Sequence, residues 1–380
     1  MPEAGHGCRM LVLSASMGGG HTQIANELQR RLALRGHDVR VVDLLDLMPP
    51  PTGRWLHDLY PWLVNRVPWL YQRVYDVFFT ARQRAGERAG VPVRLALPGL
   101  RRFVQEFRPD VAVSTYPLSA LALGELRGRG ELGCPAVTVI TTFSVNNLWL
   151  HPAVDVDLCI SDDAAEDVRR RTGRPGEVCG PIVRPACEPP GAGERAAQRA
   201  DVRRRFGIPA ESHVALVTTG SMGLAGSAEV AAEAIARRPG WVPLVVCGRN
   251  EELCARMRRI SGAVVAGWVD DMPAVMAASD VLVDNNCGMA AKEALGVGLP
   301  VVTFRPLAGH GQDDVAAVER LGLTDVVHHP DELGRAVERW VRDGRRRRER
   351  IARGRSLFVA DAADLVERYA GVPVEVAPAA

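Results

Sequence analysis

Twice in this chain an apolar strand runs into a glycine-rich turn and then a helix. That repeated opening constrains the fold more than any other feature. Arg9–Ser16 is an apolar run ending in Met17-Gly18-Gly19-Gly20-His21, and Thr22–Gly36 carries apolar residues at helical spacing through Ile24, Leu28 and Leu32. Val39–Leu44 supplies the next strand. A strand–helix–strand unit of this length closes only as a parallel crossover, so a parallel sheet is expected. Further strands are predicted at Asp110–Ser114, Ala136–Thr141 and Asp157–Ser161. The alternation restarts at Val214–Thr218, passes Thr219-Gly220-Ser221-Met222-Gly223, and continues through Pro243–Cys247, Ala263–Ala266, Val281–Asp284 and Pro300–Thr303. The expectation is two doubly wound, Rossmann-like α/β domains. A chain of 380 residues is also too long for one ordinary core. Prolines and glycines crowd between Pro185 and Gly193. The reading is a first domain over residues 1–185, a linker over 186–212, a second domain over 213–343, a C-terminal helix over 344–371 and a frayed tail over 372–380.

Charge excludes one class of function. With 47 basic and 45 acidic residues the net charge is +2, and a dedicated nucleic-acid binder is more lopsided. Lys292 is the only lysine among those basic residues. The eight cysteines form no CxxC pair and no zinc spacing, which reads as separate buried thiols in a reducing compartment. No run of about 18 uncharged apolar residues occurs, so no spanning helix is expected. Met10–Ala15 is too short, and lacks the basic leader, for a signal peptide. A cytoplasmic protein with peripheral membrane contact at most is the expectation.

Glycine-rich turns between strand and helix let backbone amides approach an anion at the positive end of the helix dipole. The first turn fails the dinucleotide fingerprint, because Gln23 stands where the third glycine belongs. Asp43 ends the second strand where an NAD-binding acid sits, which keeps an oxidoreductase in view. His21, at the helix entrance, is placed to serve as a general base; the bland alternative is a histidine that caps its helix. In the second half, Asp284-Asn285-Asn286-Cys287-Gly288 leads into a helix from Met289 to Leu295. Its small first residues suit a pyrophosphate, and Glu293, one turn in, suits vicinal ribose hydroxyls. The alternative for Glu293 is ordinary helix-start electrostatics. A polar loop, Gly309-His310-Gly311-Gln312-Asp313-Asp314, then offers an amide and a carboxylate to sugar hydroxyls. Asp155-Val156-Asp157 imitates a metal-binding pair of acids but opens a strand in the first half, and it reads as structural.

In these stretches the chain resembles glycosyltransferases of the GT-B fold, two Rossmann-like domains facing across a cleft. It is most similar to the monogalactosyldiacylglycerol synthase and processive diacylglycerol glucosyltransferase group, with the peptidoglycan N-acetylglucosaminyltransferase more distant. The resemblance is carried by Gly18-Gly19-Gly20-His21, Thr138-Val139-Ile140-Thr141, Trp149-Leu150-His151-Pro152 and Gly180-Pro181-Ile182-Val183-Arg184-Pro185. In the second half it rests on Val246-Cys247-Gly248-Arg249-Asn250, Gly267-Trp268-Val269-Asp270-Asp271-Met272-Pro273 and Lys292-Glu293-Ala294-Leu295. It implies an inverting transfer from a UDP-hexose to a lipid hydroxyl, with no metal and no cofactor beyond the sugar nucleotide. By position, His21 is then the base. Gly220, Ser221, Met222 and Gly223 hold donor phosphates together with Asn286, Gly288, Met289 and Ala290. Arg249 and Val269 border the nucleobase, Glu293 takes the ribose, and Gln312 and Asp313 the hexose. Gly19 and Gly20 lie on the acceptor side. The chain departs from the pattern at Thr142, where the family has aspartate, and at Asn146-Asn147, where it has Cys-His. It departs again at Cys287 to Ala290, where the family has Gly-Gly and a threonine, and at Asp313, where it has glutamate.

Eight of the chain's twenty aromatics fall between Trp55 and Phe79. They include Trp62, Trp69 and Tyr71, with Arg54, Arg66 and Arg73 interleaved, and Pro61 and Pro68 are expected to break the segment into short pieces. Amphipathic rings beside cations suit a lipid headgroup interface, and the family's acceptor and membrane region lies here. The plainer reading is a lid packed on the first sheet. Arg345–Arg348, Arg350, Arg353 and Arg355 crowd the start of the last helix. They read either as a solvated face or as an attraction to anionic lipid. The expected partners are therefore a UDP-sugar, a lipid acceptor and an anionic membrane surface, with no nucleic acid. Rival functions are transfer to a polyprenyl-linked or secondary-metabolite acceptor, a UDP-sugar epimerase, and a non-catalytic UDP-sugar sensor.

Overall fold

The computed structural model describes residues 7–17, 19–66, 90–187, 192–219, 227–307 and 310–372. The chain divides into two compact units, Met1–Ile182 with Phe358–Ala380, and Val183–Leu357. Each is built on a six-stranded sheet in which every strand pair is parallel.

In the first unit the strands are β1 (Arg9–Ser14), β2 (Asp38–Asp43), β3 (Val111–Ser114), β4 (Ala136–Val139), β5 (Val156–Cys159) and β6 (Glu177–Val178), in the order β2-β1-β3-β4-β5-β6. The middle strands are buried on both faces, as their uninterrupted apolar runs require. Helix α1 (Gly19–Leu34) follows β1 and buries Ile24, Ala25, Leu28 and Leu32. Helix α2 (Thr52–Arg66) runs unbroken through Pro61. This corrects the expectation of a break at Pro61: the ring removes one intrahelical bond, and the helix continues past it, while Pro68 lies outside the described residues. Helix α3 (Val91–Phe107) likewise carries Pro98 inside and buries Val93, Leu97, Leu100 and Val104. Helices α4 (Pro117–Gly128) and α5 (Asp162–Thr172) complete the crossovers. Of the mimic Asp155-Val156-Asp157, Asp155 forks onto Arg127 at 2.9 and 3.0 Å. Asp157 is buried against Arg174 at 3.2 Å, and burial pushes its carboxyl up to about 6 against that arginine. Both acids are structural.

In the second unit, α6 (Ala192–Arg205) precedes β7 (His213–Thr218), β8 (Trp241–Val246), β9 (Val264–Ala266), β10 (Val281–Asp284), β11 (Val301–Phe304) and β12 (Thr324–Val327), ordered β12-β11-β10-β7-β8-β9. Read from its first strand, this is the dinucleotide-fold order 3-2-1-4-5-6. Arg199 and Arg203 on α6 pair with Asp280 at 2.8 and 3.3 Å. The intervening helices are α7 (Ala228–Ala236), α8 (Glu251–Met257), α9 (Met272–Ala278), α10 (Met289–Val297), α11 (His310–Arg320) and α12 (Pro330–Arg342).

The single helix expected over 344–371 is two: α13 (Gly344–Arg355) and α14 (Ala362–Tyr369). Asp361 restarts the helix by accepting the Ala363 amide at 2.9 Å. The arginine run on α13 is partly mortar. Arg350 lies 4.5 Å from the Trp340 ring centre and pairs with Asp325 at 2.8 Å, and Arg347 donates to the Asp280 carbonyl at 2.6 Å. Helix α14 belongs to the first unit, where Asp361, Asp364 and Glu367 meet Arg31, Arg35 and His37 of the α1 hairpin. None of the eight cysteines is in a disulfide. Among the described residues no helix is long and apolar enough to cross a membrane, and no group of His, Cys, Asp and Glu side chains is arranged to hold a metal ion. The expected tail lies, beyond Val372, outside the described residues.

Candidate active site

Open parallel sheets bind ligands beyond the carboxyl ends of their strands, where the strand order reverses. In the first unit that point lies between β1 and β3, and His21 stands there. The strand β1 delivers the chain into α1, whose third residue is His21. The His21 Nδ1 lies 3.0 Å from the Thr115 carbonyl oxygen, just past β3, and 3.1 Å from Thr141 Oγ1, just past β4. A carbonyl only accepts, so Nδ1 carries the proton, and the ring's basic nitrogen is Nε2. Tyr116 meets the imidazole edge-on with ring centres 4.9 Å apart, and the fully buried Trp149 lies at 6.0 Å. The ring is thus held at the ends of two neighbouring strands.

Thr142, which stands at the family's aspartate, points its hydroxyl at the Ser144 carbonyl at 2.8 Å. The side chain beside the His21 ring is instead that of the residue before it, Thr141. Asn146 accepts the Leu148 amide at 3.1 Å and Asn147 accepts from Arg171 at 3.1 Å, so both asparagines hold their own loop. Asp43 spends both carboxylate oxygens on backbone amides, Ser16 at 2.9 Å and Leu45 at 2.8 Å. That use speaks against the NAD reading. Gly19 and Gly20 form the first turn of α1 beside His21.

In the second unit the order reverses between β7 and β10. Gly220, Ser221, Met222 and Gly223, expected after β7, lie outside the described residues. After β10 the chain turns through Asn285, Asn286 and Cys287 into Gly288, the N-cap of α10, which begins without a side-chain cap. The amides of Met289 and Ala290 thus head the helix, the arrangement that suits phosphate oxygens. Asn286 stiffens the turn by accepting the Gly288 amide at 3.0 Å. Cys287 takes φ +51°, a left-handed value for a residue with a side chain. Its buried thiol is anchored on Thr303 Oγ1 at 3.2 Å.

Glu293 sits one turn into α10 and is 5% exposed. Its Oε1 accepts from Arg184 Nε at 3.2 Å and Nη2 at 3.1 Å, while Arg184 Nη1 donates to the Asp270 carbonyl at 3.1 Å. Burial raises the Glu293 carboxyl, and Arg184 is the main opposing influence. Arg184, which no local pattern marks, is thus the cation paired with Glu293. Arg249 stacks on Trp268 at 4.6 Å from the ring centre. Trp268 is 46% exposed and donates to Asp270 at 2.7 Å, with the half-buried Val269 next to it. Gln312 and Asp313 are exposed, but in the first turn of α11 rather than on the expected loop. Of the aromatic segment, Trp55 is exposed on α2. The side chain of Trp62, and all of Trp69 and Tyr71, lie outside the described residues.

Comparison with known proteins divides the chain at the same place. Residues 21–181 match the family model described as monogalactosyldiacylglycerol (MGDG) synthase, and residues 216–343 match glycosyl transferases group 1. A processive diacylglycerol beta-glucosyltransferase of Bacillus cereus is 22% identical over 343 residues, 88% of this chain and 86% of the relative. Its counterpart in Bacillus mycoides is 23% identical over the same length. Among solved structures, MurG of Acinetobacter baumannii superposes with a TM-score of 0.61 at 14% identity, covering 95% of this chain and 99% of the other. The calicheamicin glycosyltransferase CalG4 gives 0.61 at 19%, covering 96% and 98%. The Anabaena protein Alr3699/HepE, solved with UDP-glucose, gives 0.57 at 13%, covering 96% and 98%. These likenesses establish the GT-B fold.

Proposed function

We infer the function from the chain's membership of the GT-B glycosyltransferases, in the monogalactosyldiacylglycerol synthase group: it moves a hexose from a UDP-sugar to the hydroxyl of a diacylglycerol-like lipid, with inversion at the anomeric carbon. The observation that carries the reading is the setting of His21. Its Nδ1–H is committed to Thr115, so Nε2 takes the proton of the acceptor hydroxyl. The freed oxygen attacks the anomeric carbon on the face opposite UDP. The bond from that carbon to the diphosphate oxygen breaks, and UDP leaves with the electron pair. The head of α10 takes the charge that grows on the diphosphate, and Glu293 holds the ribose. This reading requires no metal. The curated relatives named for diacylglycerol support the acceptor, and the UDP-glucose complex of a fold neighbour supports the donor.

The same reading puts the protein on the inner face of the cell membrane as a peripheral enzyme. Trp55 and Leu59, 69% and 47% exposed one helical turn apart on α2, support it. Exposed arginines of α13 add attraction to anionic lipid. The decisive experiment supplies UDP-glucose or UDP-galactose with diacylglycerol in vesicles and follows UDP release and glycolipid mass. A glycolipid one hexose heavier than its acceptor is expected. Binding of UDP-hexose with no glycolipid from either donor overturns the reading in favour of a sensor.

A further inference from the structure

We propose that Lys292 is a positioning residue for the donor: its buried ammonium ties the turn that takes the nucleotide diphosphate to the helix that reads the hexose. The proposal rests on the donor reading above and deepens it.

Lys292 is the only lysine in the chain, every other basic side chain being arginine. It precedes Glu293 on α10, and only 5% of it reaches solvent. A charge in that position is costly unless opposite charges share the interior with it. Two carboxylates do. Asp284 ends β10 and opens the phosphate turn, and Asp314 follows Gln312 and Asp313 in α11; they are 4% and 5% exposed. Burial lowers the Lys292 pKa, and Asp314, Cys287 and Asp284 push it back up. The buried carboxylates whose charge reaches the ammonium thus come from two different segments of the site.

The two segments also touch. The Leu307 amide, in the approach to α11, donates to the Asn285 carbonyl of the turn at 2.9 Å. A Cβ added at Gly311 would lie 3.2 Å from Leu307 Cβ and 3.8 Å from Asn286 Cβ, so the head of α11 is pressed against the turn. Beneath them Thr303 Oγ1 lies 3.3 Å from Asp284 Oδ1, 3.2 Å from Cys287 Sγ and 2.9 Å from Thr324 Oγ1. The result is a buried polar network from β12 through β11 and β10 into the turn, with Lys292 as the buried cation between it and Asp314. Networks of this kind select one arrangement of the groups they join. A compact ammonium on an unbranched stem reaches acids on two sides, whereas a guanidinium needs a flat slot.

The test compares affinities for UDP and for UDP-hexose by calorimetry in the full-length protein, with the thermal midpoint alongside. Lys292→Met is expected to weaken UDP-hexose about tenfold more than UDP. Asp314→Asn should move the same ratio in the same direction, and the double variant should lose no more than the worse single one. If the ratio holds in the single variants while only the thermal midpoint falls, or if the single losses add, the coupling is absent and the proposal is overturned. Should Lys292→Met not fold, Asp314→Asn decides alone. A wild-type protein that binds neither ligand would sink the donor reading itself, a result distinct from an unchanged ratio.

Discussion

On the proposed mechanism His21 is the acceptor's base and takes no part in holding UDP. His21→Ala is therefore expected to lower turnover by about 10²–10⁴ while UDP affinity stays near wild type. Thr141→Val tests the orienting bond. It should cost several-fold in turnover, and Thr141→Ser should restore most of it, since only the hydroxyl 3.1 Å from Nδ1 matters. Full activity in His21→Ala would place the base elsewhere. Glu293→Gln keeps the shape and removes the charge. Hydrogen bonds to charged groups contribute about 1.5–3 kcal/mol, so UDP binding in calorimetry should weaken by roughly one to two decades. Unchanged affinity would take Glu293 out of the site. Both residues could be singled out as candidates because each sits at a fixed step after a strand and a glycine turn. Their partners could not. Thr141 is 120 residues from His21 and Arg184 is 109 from Glu293, and pairing at that distance is set by strand order, which no local pattern encodes.

Elements were legible where the physics is local. Apolar runs closed by glycine mark β1, β7 and β10, and they lie within two residues of their expected ends. The strand β6 escaped because it has only two residues. β12 escaped because Asp325, which collects Arg339 and Arg350, interrupts its apolar run. The break between α13 and α14 depends on a single cap at Asp361 in a stretch that otherwise has helical composition. Helix α2 went the other way, since Pro61 looked like a stop and is not one. Trp55 and Leu59 stand one turn apart on it, ahead of that proline, and the exposed pair sets the element's prediction. The double variant Trp55→Ser, Leu59→Ser should co-sediment less with vesicles containing anionic lipid and bind UDP as wild type does. Equal sedimentation would return α2 to the lid reading. Salt should weaken what binding remains in the variant, because charges beyond about 10 Å are screened at 0.1 M ionic strength.

At the scale of the molecule, the chain leaves its first unit after Ile182 and returns to it at Phe358. The last helix therefore belongs to the first unit. Helix α14 buries Ala362, Ala363 and Val366 there, each at most 2% exposed. Arg35 alone meets Asp361, Asp364 and Glu367, at 2.9, 2.6 and 2.6 Å. Glu367 also bonds His37 Nε2 at 2.7 Å, and Arg368 and Tyr369 both reach Glu177 in β6. The pairs are partly exposed, so most of their worth is lost to solvent screening. The apolar contacts are not screened, and burying one valine contributes about 1.5–3 kcal/mol. Ending the chain at Leu357 removes all of this while leaving the second unit whole. The truncated protein should show an earlier thermal transition for the first unit, and transferase activity should fade as that unit opens. UDP affinity at a temperature below the transition should match the full chain, because Glu293, Arg184 and the head of α10 all lie between Val183 and Leu357. A truncation that loses UDP binding while the first unit melts unchanged would mean that α14 supports the donor site instead, and the assignment of donor and acceptor chemistry to separate units would have to be redrawn.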